Sequence, residues 1–395
     1  MTHQPAKIAP LPVRGLITTV VGVLGWTVPA VVGTMLMVGQ CQAFEWPLPA
    51  WVPAPTVPAD NPMTRDKAEL GRHLFYDTRL SANLAMSCAT CHVQAKAFTD
   101  GRATPVGVTG EKGVRSAMGL ANVAYLPVLT WSNPQITSLE LQALNPIFGE
   151  HPVEMGMAGR EQQIFSRLRT VPKYRELFAK AFPAEASQGD EALYSLSTLT
   201  KAIASFQRGL LSFDSAYDRY KYGKQPNAIS PAAKRGEKLF FGEKMECYHC
   251  HGGFNFTDNV QHVRLPFAER GFHNTGLYNQ DGKGAYPPGN SGIAEFTGEA
   301  ADMGKFRTPS LRNIEVTAPY MHDGSIRTLE LVIRKHYALA GRSVATVQGA
   351  SPLRSELIAG FETSPQEVAD VVAFLKALTD QRFLQDRAHG NPWKR

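Results

Sequence analysis

The pattern Cys-x-x-Cys-His occurs twice in this chain, as CATCH at 88–92 and CYHCH at 247–251. No other feature restricts the fold as tightly. Two thiols two residues apart, followed at once by an imidazole, suit covalent haem attachment. The thiols add to the two vinyl groups, and the adjacent histidine swings under the ring as axial iron ligand. A thioredoxin-like pair should follow a strand and open a helix within a βαβ unit, and neither copy does. A zinc site needs two cysteine pairs converging on one metal, or two histidines at short spacing. The chain has five cysteines: four in the motifs and Cys41 near the N-terminus. None is left for a disulfide framework. His92 and His251 are therefore the expected proximal ligands. His249, inside the second motif, reads as a packing or propionate-contacting residue.

Residues 15–39, GLITTVVGVLGWTVPAVVGTMLMVG, carry no charge and follow Lys7 and Arg14. Basic flank, apolar run and the QCQA before Phe44 read as an export signal (1–43) with cleavage after Ala43. The run is also long enough to span a bilayer as an uncleaved anchor, and Pro29 is tolerable there. Gln40 is an unfavourable neighbour for lipoprotein processing at Cys41. Residues 44–62 are proline-rich and read as an extended linker. The rest has ordinary globular composition, 43% hydrophobic and 19% charged. The net charge of +6 is spread without any Lys/Arg run, so nucleic acid is not an expected partner.

Each motif is preceded by the same preamble. AELGRHLFY leads to the first and AKRGEKLFF to the second, each with helical apolar spacing and a Leu–aromatic–aromatic cluster after the glycine. This is a diverged internal repeat of helix, loop, cysteine pair and histidine. Helical patterns also cover 161–168, 173–182, 191–211, 328–337 and 364–378. Ser230 and Ser364 are each followed by proline, the signature of a capped helix start. Strand signals are weak. The expected class is all-α, mostly helical with long loops, as two cytochrome c-like haem domains at 63–225 and 226–395.

Residues 63–378 resemble the bacterial dihaem cytochrome c peroxidase and MauG superfamily. The resemblance rests on ELGRHLFYDTRLS, SCATCH, SLELQALNPIFGEHPVEMG, CYHCHGG and FRTPSLRNIEVTAPYMHDGSIRTLE, in that order. The tract LTWSNPQITSLELQALNPIFGEHPVEMGM resembles the methanobactin-associated branch typified by MbnH. The resemblance implies a peroxide-reacting haem on Cys88, Cys91 and His92. It implies an electron-relay haem on Cys247, Cys250 and His251, and a periplasmic location. The loop 104–113 contains no histidine, so the usual blocking ligand of the first haem is missing.

By the same resemblance, Glu154, Gln142 and Pro146 face the first iron. There Glu154 would shuttle the peroxide proton, and Glu150 competes because GEHP holds two extra residues. Met155 and Met157 are the side chains that could otherwise close this iron. Trp131 falls between the haems. Tyr337 is the expected sixth ligand of the second haem, with His336 second and Met321 a remote third; the helix before them runs one residue longer than the resemblance implies. A phenolate stabilises high-valent iron, whereas a thioether favours the ferrous state. An inter-haem calcium is implied at Ser116, Thr317 and Pro319, with serine standing where asparagine is usual.

The implied activity is MauG-like. Hydrogen peroxide drives a high-valent dihaem state that oxidises a protein partner, a tryptophan to kynurenine on an MbnP-like copper-associated protein. Two alternatives stay open: an ordinary dihaem peroxidase drawing electrons from a small redox protein, and a dihaem electron-transfer cytochrome with both irons closed.

Overall fold

The computed structural model describes residues 44–342 and 348–394. The export signal expected at 1–43 lies outside the described residues, and among those residues no helix is long and apolar enough to cross a membrane. Five helices frame the two sites: α1 (Arg65–Phe75), α2 (Leu139–Phe148), α3 (Leu196–Arg208), α4 (Pro231–Phe240) and α5 (Pro365–Lys376). Helices predominate. The described strands form two antiparallel ribbons, β1 (Asn259–Val260) with β2 (Glu269–Arg270), and β3 (Phe272–Asn274) with β4 (Lys305–Arg307).

The sequence repeat is a packing repeat. Helix α1 crosses α3 at Gly71, where a β-carbon would lie 1.9 Å from the Ala202 carbonyl oxygen and 2.9 Å from Phe206 Cβ. Helix α4 crosses α5 at Gly236, where a β-carbon would lie 2.0 Å from the Asp370 carbonyl oxygen and 2.9 Å from Phe374 Cβ. Only glycine lets the backbones come this close. The buried aromatic that follows seals each crossing: Phe75 packs 5.1 Å from Phe206, and Phe240 packs 5.1 Å from Phe374. Burying one such ring contributes about 1.5–3 kcal/mol.

Local signals set most helix starts. Ser230 caps α4, accepting from the Ala233 N–H at 3.1 Å, with Pro231 first in the helix. Ser364 and Glu367 form the capping box of α5. The run expected at 191–211 is two helices, because Ser195 caps α3 by a box with Thr198 and ends the turn Asp190–Leu193 before it. Side-chain capping competes successfully with a continuous helix there.

The proline-rich segment 44–62 is extended but held to the body. Trp51 stacks on Tyr222 at 3.9 Å, Tyr125 Oη donates to the Pro53 carbonyl at 2.8 Å, and Asn61 is fully buried with Nδ2 on Glu140 at 2.6 Å. Ordered contacts thus begin before Met63. At the other end, residues 381–393 return to the first motif. Gln94 Nε2 donates to the Asp386 carbonyl at 2.8 Å, and Trp393 Nε1 donates to the His73 carbonyl at 3.0 Å.

Replacing Gly71 or Gly236 by alanine drives a methyl into backbone that cannot rotate away. Each variant is expected to lose about 1–3 kcal/mol, read as a lower thermal midpoint by circular dichroism. A midpoint unchanged in both variants contradicts this account of the crossings.

Candidate functional site

Each motif forms one helical turn, Cys88–Cys91 and Tyr248–His251. Cysteines at i and i+3 then share a face, and all four lie at partly exposed positions, none paired in a disulfide. The imidazoles are pinned alike. His92 Nδ1 lies 2.7 Å from the Phe98 carbonyl oxygen, and His251 Nδ1 lies 3.1 Å from that of Phe256. A proton on Nδ1 donated to a carbonyl leaves the Nε2 lone pair free for a metal.

The accepting residues are unusual. Phe98 has φ 65° and Phe256 φ 52°, left-handed conformations that phenylalanine rarely adopts, and both rings are buried. Such a backbone costs on the order of 1–3 kcal/mol and persists only where packing over-determines it. The sequence carries this device as a repeated triplet, FTD at 98–100 and at 256–258, which the motif reading missed.

The second motif opens onto a cavity lined by Cys247, Cys250, His251 and Tyr337, with apolar walls from residues such as Phe240 and Leu375. The donor set and the apolar lining fit a covalently attached haem. Burial first, and then the Cys250 and Cys247 sulfurs, hold the Tyr337 phenol above its ordinary value. His336 is wholly buried but does not line the cavity. Burial pushes its imidazole down to about 4. The extra residue in this helix is absorbed by a π-helical turn, Val332–His336, the usual way a helix accommodates one insertion. Met321 also reaches the cavity wall.

Around the first motif the backbone fixes Glu154. Its carbonyl accepts from the Val108 N–H at 2.8 Å, and the next residue, Met155, donates to the Pro146 carbonyl at 2.9 Å. Glu111 Oε2 accepts from the Val153 N–H at 2.9 Å. At Gly107 a β-carbon would lie 1.8 Å from the Val153 carbonyl oxygen, so glycine is required where the 104–113 hairpin meets this segment. Burial raises the Glu154 carboxyl above the ordinary range. Burial and then the Glu154 charge push the Cys91 thiol up to about 11, so the carboxylate lies close to the attachment site.

Glu150, by contrast, is exposed, in a tight turn closed by a bridge to Val153. Glu150 and His151 are exposed on that turn. Gln142 and Pro146 sit on α2, both half-buried. Met155 and Met157 are buried in the apolar cluster with Leu70 and Ile147.

The model of the family described as di-haem cytochrome c peroxidase matches residues 65–226. MauG of Methylophilus methylotrophus is 37% identical over 332 residues, spanning 84% of this chain and 86% of that protein. The cytochrome c551 peroxidase of Pseudomonas aeruginosa is 28% identical over 343 residues, spanning 87% and 86%. A solved MauG-like protein associated with microbial copper homeostasis superposes with a TM-score of 0.84 at 48% identity, over 89% of this chain and 100% of that one. The chain belongs to the di-haem cytochrome c peroxidase and MauG family. It is a haem peroxidase-type oxidoreductase, and the family implies two c-type haems.

Several residues that this family membership brings into play share one wall. Trp131, Ser116, Thr317 and Pro319 line the second cavity, as do Ala97 and Thr99, which flank the carbonyl that pins His92. Trp131 Nε1 donates to the Ser116 carbonyl at 2.8 Å. A cation at this point would therefore share that carbonyl or take the Ser116 hydroxyl. His249 does not line the cavity; it pairs at the half-exposed surface with Glu246 at 3.5 Å.

Two lining residues escaped the sequence reading. His273 Nε2 lies 2.6 Å from Asp258 Oδ2, which first, followed by Cys250, lifts the imidazole to about 10. Cys250, Asp258 and His273 offer donor atoms within 4.8 Å of one another, a cation-binding set only while Cys250 remains a thiol. Arg307 is buried, with Nε on the Thr130 carbonyl at 3.1 Å and Nη1 on that of Thr308 at 3.2 Å. Nη2 contacts Met118 Sδ at 3.6 Å, so two of the five guanidinium N–H groups have no partner among these contacts.

Glu154→Gln is expected to slow the reaction of the loaded protein with peroxide by about 10²–10⁴-fold, with the resting haem spectrum intact, while Glu150→Gln leaves the rate unchanged. Stopped-flow spectroscopy checks both, and the reverse ordering would transfer the proton role to Glu150.

Proposed function

We propose that this chain is a MauG-like enzyme that uses hydrogen peroxide to withdraw electrons from a protein partner. The observation that carries the reading is Tyr337 in the wall of the second cavity, combined with a 104–113 hairpin that has no histidine and is committed to holding Glu154. Cys88 and Cys91 with His92 anchor the first haem, and Cys247 and Cys250 with His251 the second. When bound, the haems supply the redox chemistry that reduces peroxide and stores the two oxidising equivalents.

The protein groups do the rest. A Glu154 carboxylate oxygen takes the proton from the inner peroxide oxygen and returns it to the leaving oxygen, a task suited to a carboxyl whose proton affinity burial has raised. Gln142 orients the peroxide from α2. Pro146 removes a backbone donor from that helix and presents its carbonyl to Met155, which fixes the height of Glu154. Trp131, clamped through its indole N–H, relays electrons between the two sites. Tyr337 would hold the second haem's iron through its phenol oxygen, giving up the phenolic proton on binding, and His336 packs against it from outside the cavity. A calcium ion held by Ser116, Thr317 and Pro319 would stiffen the wall that carries Trp131.

The substrate reading is a tryptophan converted to kynurenine on an MbnP-like copper-associated protein. Its support is the 48% identity to a MauG-like protein associated with microbial copper homeostasis. The leader pattern supports a periplasmic location.

The test is to incubate the loaded enzyme with such a partner and repeated peroxide additions, then map the partner's peptides by mass spectrometry. Kynurenine in place of one tryptophan is expected with the native enzyme and with His336→Phe, and none with Tyr337→Met. Consumption of peroxide with every partner tryptophan intact would leave an ordinary peroxidase.

A further inference from the structure

We propose that Tyr278 is the point at which oxidising equivalents leave the second site, and that the Asp323 carboxylate receives its phenolic proton as it is oxidised. The proposal rests on the peroxide-driven reading given above. It starts from a line of aromatic side chains that no part of that reading uses.

Tyr286 is a buried phenol. Tyr286 packs against Phe306, 6.1 Å between ring centroids, in a cluster that also receives Trp131. Tyr278 follows at 5.3 Å from Tyr286 and is partly exposed. Oxidising equivalents that reach Trp131 therefore meet neighbouring rings from there to the partly exposed Tyr278.

Proton acceptors decide where along this line a hole can rest. Oxidising a phenol or an indole makes it a strong acid, so a site with a base beside it is oxidised far more easily than one without. The Trp131 N–H donates to a backbone carbonyl, and Tyr286 Oη donates to the amide oxygen of Asn274 at 2.8 Å. Neither acceptor can take a proton. Tyr278 Oη donates to Asp323 Oδ2, a carboxylate.

The base is held in place by its own turn. Asp323 Oδ1 accepts from the Ser325 N–H at 3.0 Å, and a bridge between Tyr320 and Ile326 closes the segment. His322, stacked on Phe306 at 3.7 Å, is kept neutral by burial, which pushes it down to about 4. It therefore adds no positive charge that would oppose oxidation. Tyr174 and Tyr217 also donate to carboxylates, Asp77 and Glu237, but both rings are buried and cannot face a partner.

The step balances. One electron passes from Tyr278 through Tyr286 to the oxidised second site, and the phenolic proton moves to Asp323, leaving a neutral phenoxyl radical. The partner then gives one electron to that radical, and Asp323 returns the proton. Two such passages supply the two electrons that, with two protons from solvent, convert one hydrogen peroxide into two waters; the Tyr278 proton only cycles to Asp323 and back.

The experiment compares the loaded native protein with Tyr278→Phe and Asp323→Asn after one equivalent of peroxide. Freeze-quench electron paramagnetic resonance reads the radical, and a reduced small cytochrome c serves as the electron donor. The native protein is expected to show a tyrosyl signal that narrows with ring-deuterated tyrosine. The signal is lost in Tyr278→Phe and diminished in Asp323→Asn. Donor oxidation should fall by about tenfold or more in Tyr278→Phe, while the peroxide-induced change in the haem spectrum keeps its native rate. An undiminished tyrosyl signal and donor rate in Tyr278→Phe would overturn the proposal and leave the peroxide reading standing. A native protein whose haem spectrum does not respond to peroxide would overturn both.

Discussion

The structure turns on two hydrogen bonds, from the Nδ1 of His92 and of His251 to the carbonyls of Phe98 and Phe256. Each sets the tautomer of an imidazole and aims its Nε2 at the space beside a cysteine pair. Each acceptor sits on a left-handed phenylalanine whose buried ring holds the strained backbone in place. The glycine crossings at Gly71 and Gly236 stand behind this arrangement, because they bring Phe75 and Phe240 into the packing around each motif. Ligand geometry thus rests on core packing, and the core rests on two positions where a methyl does not fit.

From these matched beginnings the two halves diverge. Near the first motif the chain builds a polar shelf: the 104–113 hairpin and α2 hold Glu154 from both sides, with Gly107 allowing the close approach. Near the second it builds an apolar cavity with the Tyr337 side chain in its wall. One arrangement suits moving a proton to and from a bound oxygen species, and the other suits stabilising stored charge. Trp131 lies in the wall of the apolar cavity, fixed by the Ser116 carbonyl. The difference between the sites comes from loops, on a scaffold that is otherwise repeated.

Much of this was legible in the residues. The two CxxCH motifs, the preamble repeat, the Ser-Pro helix starts and the class of fold are local signals, and local chemistry is what a sequence displays. The break at Ser195 was not foreseen, because periodicity continued through it while side-chain capping decided otherwise. The preference for Glu154 over Glu150 came from the resemblance; what the residues did not display is the exposed turn at 150–153, which depends on contacts between segments far apart in the chain. Tyr337 was preferred to His336 by resemblance; the π-helical turn Val332–His336, after which Tyr337 and not His336 lines the cavity, was not legible, since helical phase is invisible when one residue is inserted. His273, Asp258 and Arg307 carried no motif; strand pairing and burial bring them to the cavity. The FTD triplets were visible and overlooked, because their value lies in a backbone carbonyl rather than in a side chain.

The central claim is that the first site is open to peroxide while the second already has the ligand needed to store charge. The most direct measurement adds stoichiometric hydrogen peroxide to the purified, fully oxidised protein and follows the spectrum into the near infrared. The account predicts a rapid reaction without prior reduction and a long-lived species involving both haems. Reaction only after one-electron reduction, or none in either state, would contradict it.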